Sequence, residues 1–229
     1  MRARRVSTAM PPRVIAIATI LAACSTAPTP GKPDVPPPAS KTALASPPAP
    51  APSPAEIDRT EQARVAVAAM IGTTPPPWKA ERWMNSPPLE LEKLRGSVVL
   101  VRWWTAGCPF CSTTAPSLRE LDQLYASRGL HVIGMYHHKE DTPFDPEVYE
   151  DTAKKYGFTF PIAFDPEWHT LESWLRDREG KEVSTGWTSV TFLLDKRGVI
   201  RHVHPGGSYV KGEPAYDEMR AAIDRLLAE

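Results

Sequence analysis

Cysteine, unbalanced charge and long apolar runs are all scarce in this 229-residue chain. Its 27 lysine and arginine residues equal its 27 aspartate and glutamate residues. Because nucleic-acid binding usually requires a basic excess, this balance predicts no nucleic-acid partner. No apolar run reaches the length of about 18 residues that marks a transmembrane helix, so no ordinary spanning helix is expected. The three cysteines are too few for a disulfide-stapled scaffold.

The N-terminal segment is typical of an exported lipoprotein. Basic residues precede an apolar stretch at positions 14–23, and together they predict a signal peptide over residues 1–24. The stretch ends in Leu21-Ala22-Ala23-Cys24, which resembles the bacterial lipobox, whose cysteine is lipidated. A plain secretory signal with an incidental cysteine is the alternative. We expect a protein on the periplasmic or cell-surface side, anchored to a membrane through a lipid on Cys24, and Ser25 favours the outer membrane.

Proline, by contrast, is abundant and clustered. Eleven of the 26 prolines fall within residues 25–55, which cannot bury a core and predict a disordered, extended tether. An alanine-rich stretch at 55–71 favours a short helix, and the proline-rich segment 73–77 ends it. We place a Pro/Ala-rich linker at residues 25–77 and a single folded domain at residues 78–229.

Within this domain, strand and helix patterns alternate. Residues 97–104 form a near-continuous apolar run, as in a buried parallel strand. The later segments are, in chain order, a helix at 111–127, a strand at 131–136, a helix at 146–156, a strand at 161–164, a helix at 167–175, strands at 189–195 and 199–204, and a helix at 214–228. This order predicts a thioredoxin-like three-layer α/β sandwich with a central mixed sheet.

Two cysteines form a C-x-x-C pair where the first strand gives way to a helix. A thiol at a helix N-terminus faces unpaired N–H groups and the positive end of the helix dipole, which favour the thiolate. We therefore predict that Cys108 is the nucleophile and that Cys111 resolves the mixed disulfide. Two buried thiols, or half of a metal site, are the alternative, although a zinc site needs two more ligands. We expect no metal and no cofactor.

Several motifs around this pair point to one family. Trp104 stands four residues before Cys108, Pro116 stands eight after it, and residues 191–198 read TFLLDKRG. Over residues 83–228 the chain resembles the TlpA/ResA-like thioredoxin family of exported thiol–disulfide oxidoreductases. The resemblance implies protein dithiol or disulfide substrates and an upstream redox partner. The residues expected to support the pair are Trp104, Gly107, Pro109, Phe110, Pro116 and Ser189.

The chain also departs from the pattern of that family. The family's buried acid, six residues before the nucleophile, is replaced by Arg102, and its alternative acid, six after, by Thr114. Gly107 stands where tryptophan is usual, and Ser189 takes the place of the cis-proline. A non-proline cis peptide costs about 2.5–4 kcal/mol, so we predict a trans Thr188–Ser189 bond and a reshaped loop.

Three residues are candidates for the missing proton relay. Arg102 is expected to pair with a carboxylate or to stack on an indole; if instead its charge lies near Cys111, it lowers the pKa of that thiol. His137 and His138 end a parallel strand at the edge where Cys108 should lie. One of the two imidazoles could accept the proton, although loop histidines are usually only solvated.

We expect the protein to act as a monomer. Two other functions are alternatives to disulfide exchange. A peroxiredoxin-like thiol peroxidase is suggested by Thr105, three residues before Cys108, but the peroxidatic motif needs proline at position 101, where Val101 stands. A Sco-like copper-handling module would use the cysteine pair with a histidine such as His137. Sco-like proteins typically have one more residue between their cysteines than this chain has.

Overall fold

The computed structural model describes residues 54–229 of the chain, so the signal peptide and Cys24 lie outside the described residues. Five α-helices and six strands make up this part. In chain order they are α1 (Pro54–Ala68), β1 (Arg82–Met84), β2 (Val98–Trp104), α2 (Pro109–Tyr125), β3 (Leu130–Tyr136), α3 (Pro146–Lys155), β4 (Ile162–Phe164), α4 (His169–Trp174), β5 (Thr191–Leu194), β6 (Ile200–His204) and α5 (Pro214–Ala228). None of these helices is long and apolar enough to cross a membrane.

The strands form one mixed sheet in the order β1-β4-β3-β2-β5-β6. Strands β2, β3 and β4 run parallel, whereas β1, β5 and β6 each pair antiparallel with a neighbour. This arrangement confirms the predicted thioredoxin-like fold. The prediction missed β1, because three residues reading RWM carry too little periodicity to indicate a strand.

Alternating residues of β2 build the two halves of the core. Val98, Leu100 and Trp104 pack with apolar residues of α2, α3 and α5. Val99 and Val101 point to the other side of the sheet, where residues of α1 and α4 cover them. Because side chains alternate along a strand, the parity of a β2 position decides whether it faces helix α2.

Helix α1 belongs to this packed unit. Val67 and Met70 are buried in the same core cluster as the odd-numbered side of β2. Beyond the helix, the N–H of Gly72 donates to the carbonyl of Ile200 at 2.8 Å, and the N–H of Ile200 donates to the carbonyl of Thr73 at 2.9 Å. The packed part of the chain therefore begins before the domain start that we predicted at residue 78.

Candidate active site

The turn between β2 and α2 places Cys108 at the N-terminus of the helix. Cys108 is the N-cap residue, with an extended backbone (φ −79°, ψ 116°), and Pro109 occupies the first helical turn. Gly107, just before it, has φ +68°. A residue with a side chain pays about 1–2 kcal/mol in that left-handed conformation, even though space around its Cα is open. The turn therefore explains the glycine at the position where the family has tryptophan.

The two thiols have different environments. Cys108 is half-buried, whereas Cys111, one turn into α2, is only 2% exposed. A hydrogen bond from the Cys111 thiol lowers the pKa of Cys108 from 9.0 to about 6, against the opposing effect of burial. The same hydrogen bond, together with burial, raises the pKa of Cys111. The outer sulfur is thus a thiolate at neutral pH and the inner one a proton donor, as a nucleophile and a resolving thiol require.

Arg102 lies beneath this pair, on the even-numbered side of β2 that faces α2. Its side chain is buried, and its guanidinium donates to the hydroxyl of Thr191 at 3.1 Å and to the carbonyl of Gly207 at 2.8 Å. The guanidinium carbon is 5.4 Å from the ring centroid of Tyr209. The expected carboxylate or indole partner was therefore wrong: a hydroxyl, a carbonyl and a phenol ring take its place.

The two candidate relay histidines make no hydrogen bond to the cysteine pair. His137 continues the alternation of β3 away from α2, with its ring 4.9 Å from that of Trp168, and both of its ring nitrogens lack partners among the described residues. Burial lowers its pKa to about 3. The ring of His138 contacts the hydroxyl of Tyr136 at 3.0 Å and the carbonyl of Thr142. A relay role for either histidine stays a prediction.

A carboxylate that sequence reasoning missed is hydrogen-bonded to the turn before the pair. Glu140 accepts hydrogen bonds from the hydroxyls of Thr105 and Tyr136, both at 3.2 Å. The backbone of Thr105 in turn acts to lower the pKa of Cys111, against the larger effects of Cys108 and burial. Burial would raise the pKa of Glu140, but its hydrogen bonds outweigh that effect and lower it. No fixed spacing links this loop residue to the cysteines, so the sequence offered no signal for it.

Cys108 opens into a groove of about 450 Å³. Residues 105–110 form one wall, and Lys139 and residues 186–189 form the other. The ring of Phe110 stands edge-on to Trp187, at a centroid distance of 5.2 Å. Ser189 is buried, and its peptide bond with Thr188 is trans, because no peptide within residues 54–229 is cis.

Of the other residues expected to support the pair, Trp104 lies in the core and Pro116 on the exposed side of α2. Trp104 is 1% exposed and packs edge-on against Tyr136, Tyr156 and Phe158, at centroid distances of 5.1, 5.9 and 5.6 Å. Pro116 lies inside α2, on its exposed side. Within residues 54–229 no three His, Cys, Asp or Glu side chains come together as a metal-binding group.

Comparison with known proteins decides the family. A family model described as Redoxin matches residues 84–220, which is more than half of the chain. The chain belongs to the Redoxin family. Among curated relatives of this Redoxin-family protein, DipZ of Mycobacterium bovis is 31% identical over 161 residues, or 68% of this chain and 21% of DipZ. ResA of Geobacillus kaustophilus, a thiol-disulfide oxidoreductase, is 26% identical over 117 residues, or 51% of this chain and 59% of ResA.

Solved structures agree with the fold of this Redoxin-family chain. A thiol-disulfide isomerase from Corynebacterium glutamicum superposes with a TM-score of 0.51 at 25% identity, covering 67% of this chain and 97% of that chain. The predicted resemblance to TlpA/ResA-like proteins is confirmed. The chain spans about a fifth of DipZ and less than two thirds of ResA.

Proposed function

We propose that this Redoxin-family protein exchanges the Cys108–Cys111 dithiol or disulfide with partner proteins outside the cytoplasm. The observation that carries the proposal is a half-exposed thiol of lowered pKa, at the floor of a groove, backed by a buried protonated thiol. The names of ResA and of the isomerase from Corynebacterium support the same chemistry. We expect a monomer that works with protein substrates and an upstream redox partner.

The exchange proceeds in two thiolate attacks. In the reducing direction the Cys108 thiolate attacks a substrate disulfide, forms a mixed disulfide and expels the first substrate thiolate. Cys111 then loses its proton and attacks the sulfur of Cys108, which forms the Cys108–Cys111 bond and expels the second substrate thiolate. Two electrons pass to the substrate, and the oxidising direction is the reverse.

Removing the resolving thiol tests this order of events. We expect Cys111→Ser to accumulate mixed disulfides between Cys108 and its substrates, because no second thiol releases them. Non-reducing gels of the full-length protein, followed by mass spectrometry of the adducts, measure this accumulation. Adducts should vanish on reduction and in a Cys108→Ser/Cys111→Ser control. A Cys111→Ser protein that forms no mixed disulfide would contradict the proposal.

We also propose that a lipid on Cys24 holds the protein at a membrane, with the outer membrane favoured. The lipobox-like sequence and the proline-rich residues 25–55 support this proposal. Cys24→Ala should abolish incorporation of labelled fatty acid and move the protein from the membrane fraction to the soluble fraction. A Ser25→Ala control should stay in the membrane fraction. Equal membrane retention by the Cys24→Ala protein would contradict the lipid anchor, and a parent protein that is itself soluble and unlabelled would favour a plain secretory signal.

A further inference from the structure

A buried cation lies beneath the cysteine pair without a counter-ion. Arg102 is 1% exposed, and none of the ion pairs among residues 54–229 involves it. Its Nε has no hydrogen-bond partner there either. Burying an unpaired charge is costly unless some anionic partner compensates it in one state of the protein.

The packing connects this cation to the active-site helix. The ring under its guanidinium belongs to Tyr209, whose N–H donates to the Thr114 hydroxyl at 3.4 Å. Thr114 follows Cys111 by one helical turn, and Tyr209 and Cys111 belong to the same buried cluster. Only the cysteine sulfurs can carry negative charge at neutral pH among these neighbours, since burial raises the pKa of Tyr209.

Two histidines also feel the charge of Arg102, and neither supplies an anion. Burial is the largest cause that lowers the pKa of both His137 and His204 to about 3, and the charge of Arg102 acts in the same direction. The charge of Arg102 also acts to lower the pKa of both Cys108 and Cys111, although it is not the largest influence on either. The Cys108 thiolate, and the Cys111 thiolate that forms during exchange, are thus the anions that this guanidinium can stabilise.

We propose that the buried charge of Arg102 makes the Cys108–Cys111 disulfide a stronger oxidant, so that the site favours taking electrons from substrate dithiols. The inference rests on the proposed exchange function and gives it a direction. Arg102 acts through the two sulfurs and is a positioning residue: a cation beside the reduced pair stabilises its thiolate but gains nothing from the neutral disulfide.

The favoured reaction balances without a further reactant. A substrate thiolate attacks the Cys108 sulfur, the substrate–Cys108 bond forms, and the Cys108–Cys111 bond breaks to release the Cys111 thiolate near Arg102. The second substrate thiol loses its proton and attacks the substrate sulfur of the mixed disulfide, which expels the Cys108 thiolate. The substrate gains a disulfide and loses two electrons, and Cys111 takes up a proton.

The test measures the equilibrium of the full-length protein with reduced and oxidised glutathione. We expect Arg102→Met to disfavour the reduced pair about tenfold, which equals a potential lower by about 30 mV for a two-electron couple. In the same variant the pKa of Cys108, read from the pH dependence of its alkylation, should rise. Arg102→Gln, which keeps polar atoms without the charge, should move both quantities in the same direction.

Two matched controls separate charge from packing. Thr191→Val removes a hydrogen bond of Arg102 but keeps its charge, and Arg128→Met removes an exposed arginine stacked on Tyr125, at the far end of α2. Both should keep the equilibrium constant within about twofold of the parent protein.

Three outcomes would overturn the inference: an unchanged equilibrium constant in Arg102→Met, an unchanged constant in Arg102→Gln, or an equal shift in Thr191→Val. Failure of the proposed function looks different, because the parent protein itself would then not exchange disulfides with any protein substrate.

Discussion

Replacing Cys108 by serine should reduce disulfide exchange by at least about a thousandfold, because the hydroxyl of serine is not a nucleophile at neutral pH. Insulin reduction by the full-length protein in the presence of dithiothreitol measures this loss. The side chains are nearly isosteric and Cys108 is half-buried, so the fold should persist. A circular dichroism spectrum like that of the parent protein is the control.

The rate at which Cys108 is alkylated in the parent protein should also depend on pH. Since the pKa of Cys108 is lowered to about 6, alkylation should rise steeply up to about pH 6 and level off above pH 7. An ordinary thiol would still gain reactivity up to about pH 9.

Ordinary insulin reduction by Cys108→Ser would contradict the assigned nucleophile, and rapid peroxide consumption by the parent protein would favour the peroxidase alternative.

Truncating Trp104 to alanine should lower the free energy of unfolding by about 3–5 kcal/mol, the range for large aromatic residues in a core. The indole fills the space between β2 and the aromatic rings of Tyr136, Tyr156 and Phe158. Its indole N–H has no partner within the described residues, so the loss comes from packing alone. Urea unfolding of the full-length protein, followed by circular dichroism, gives the measurement.

A second tryptophan provides the matched comparison for this prediction. Trp187 is half-buried in the groove wall beside Phe110, so Trp187→Ala should cost less than about 2 kcal/mol because water fills the space. It should instead weaken exchange with protein substrates. If Trp104→Ala and Trp187→Ala destabilise the protein equally, the core role of Trp104 is wrong.

The position of the redox pair could be predicted from sequence because its signals are local. An apolar β2 run, a proline after Cys108 and the C-x-x-C spacing all lie within a few residues of one another. The helix bounds were close for the same reason, and the predicted 214–228 helix is observed as Pro214–Ala228. Local patterns fix where an element lies and which side of it is apolar.

The contacts of the pair could not be predicted, because they join distant parts of the chain. The carbonyl that binds Arg102 belongs to Gly207, 105 residues further along. Glu140 reaches Thr105 across 35 residues, from a loop whose path depends on the packing of β3. In both cases the residue type was visible in the sequence, but its partner was set by the tertiary fold.

The segment that follows α1 also covers part of one edge of the sheet. β6 is an edge strand, and an exposed edge offers unpaired N–H and C=O groups to strands of other chains. Gly72 and Thr73 already occupy such groups of Ile200. At the opposite edge, β1 offers only three residues for pairing. Strand addition at the Ile200 end of β6 would therefore have to displace the Gly72–Thr73 segment.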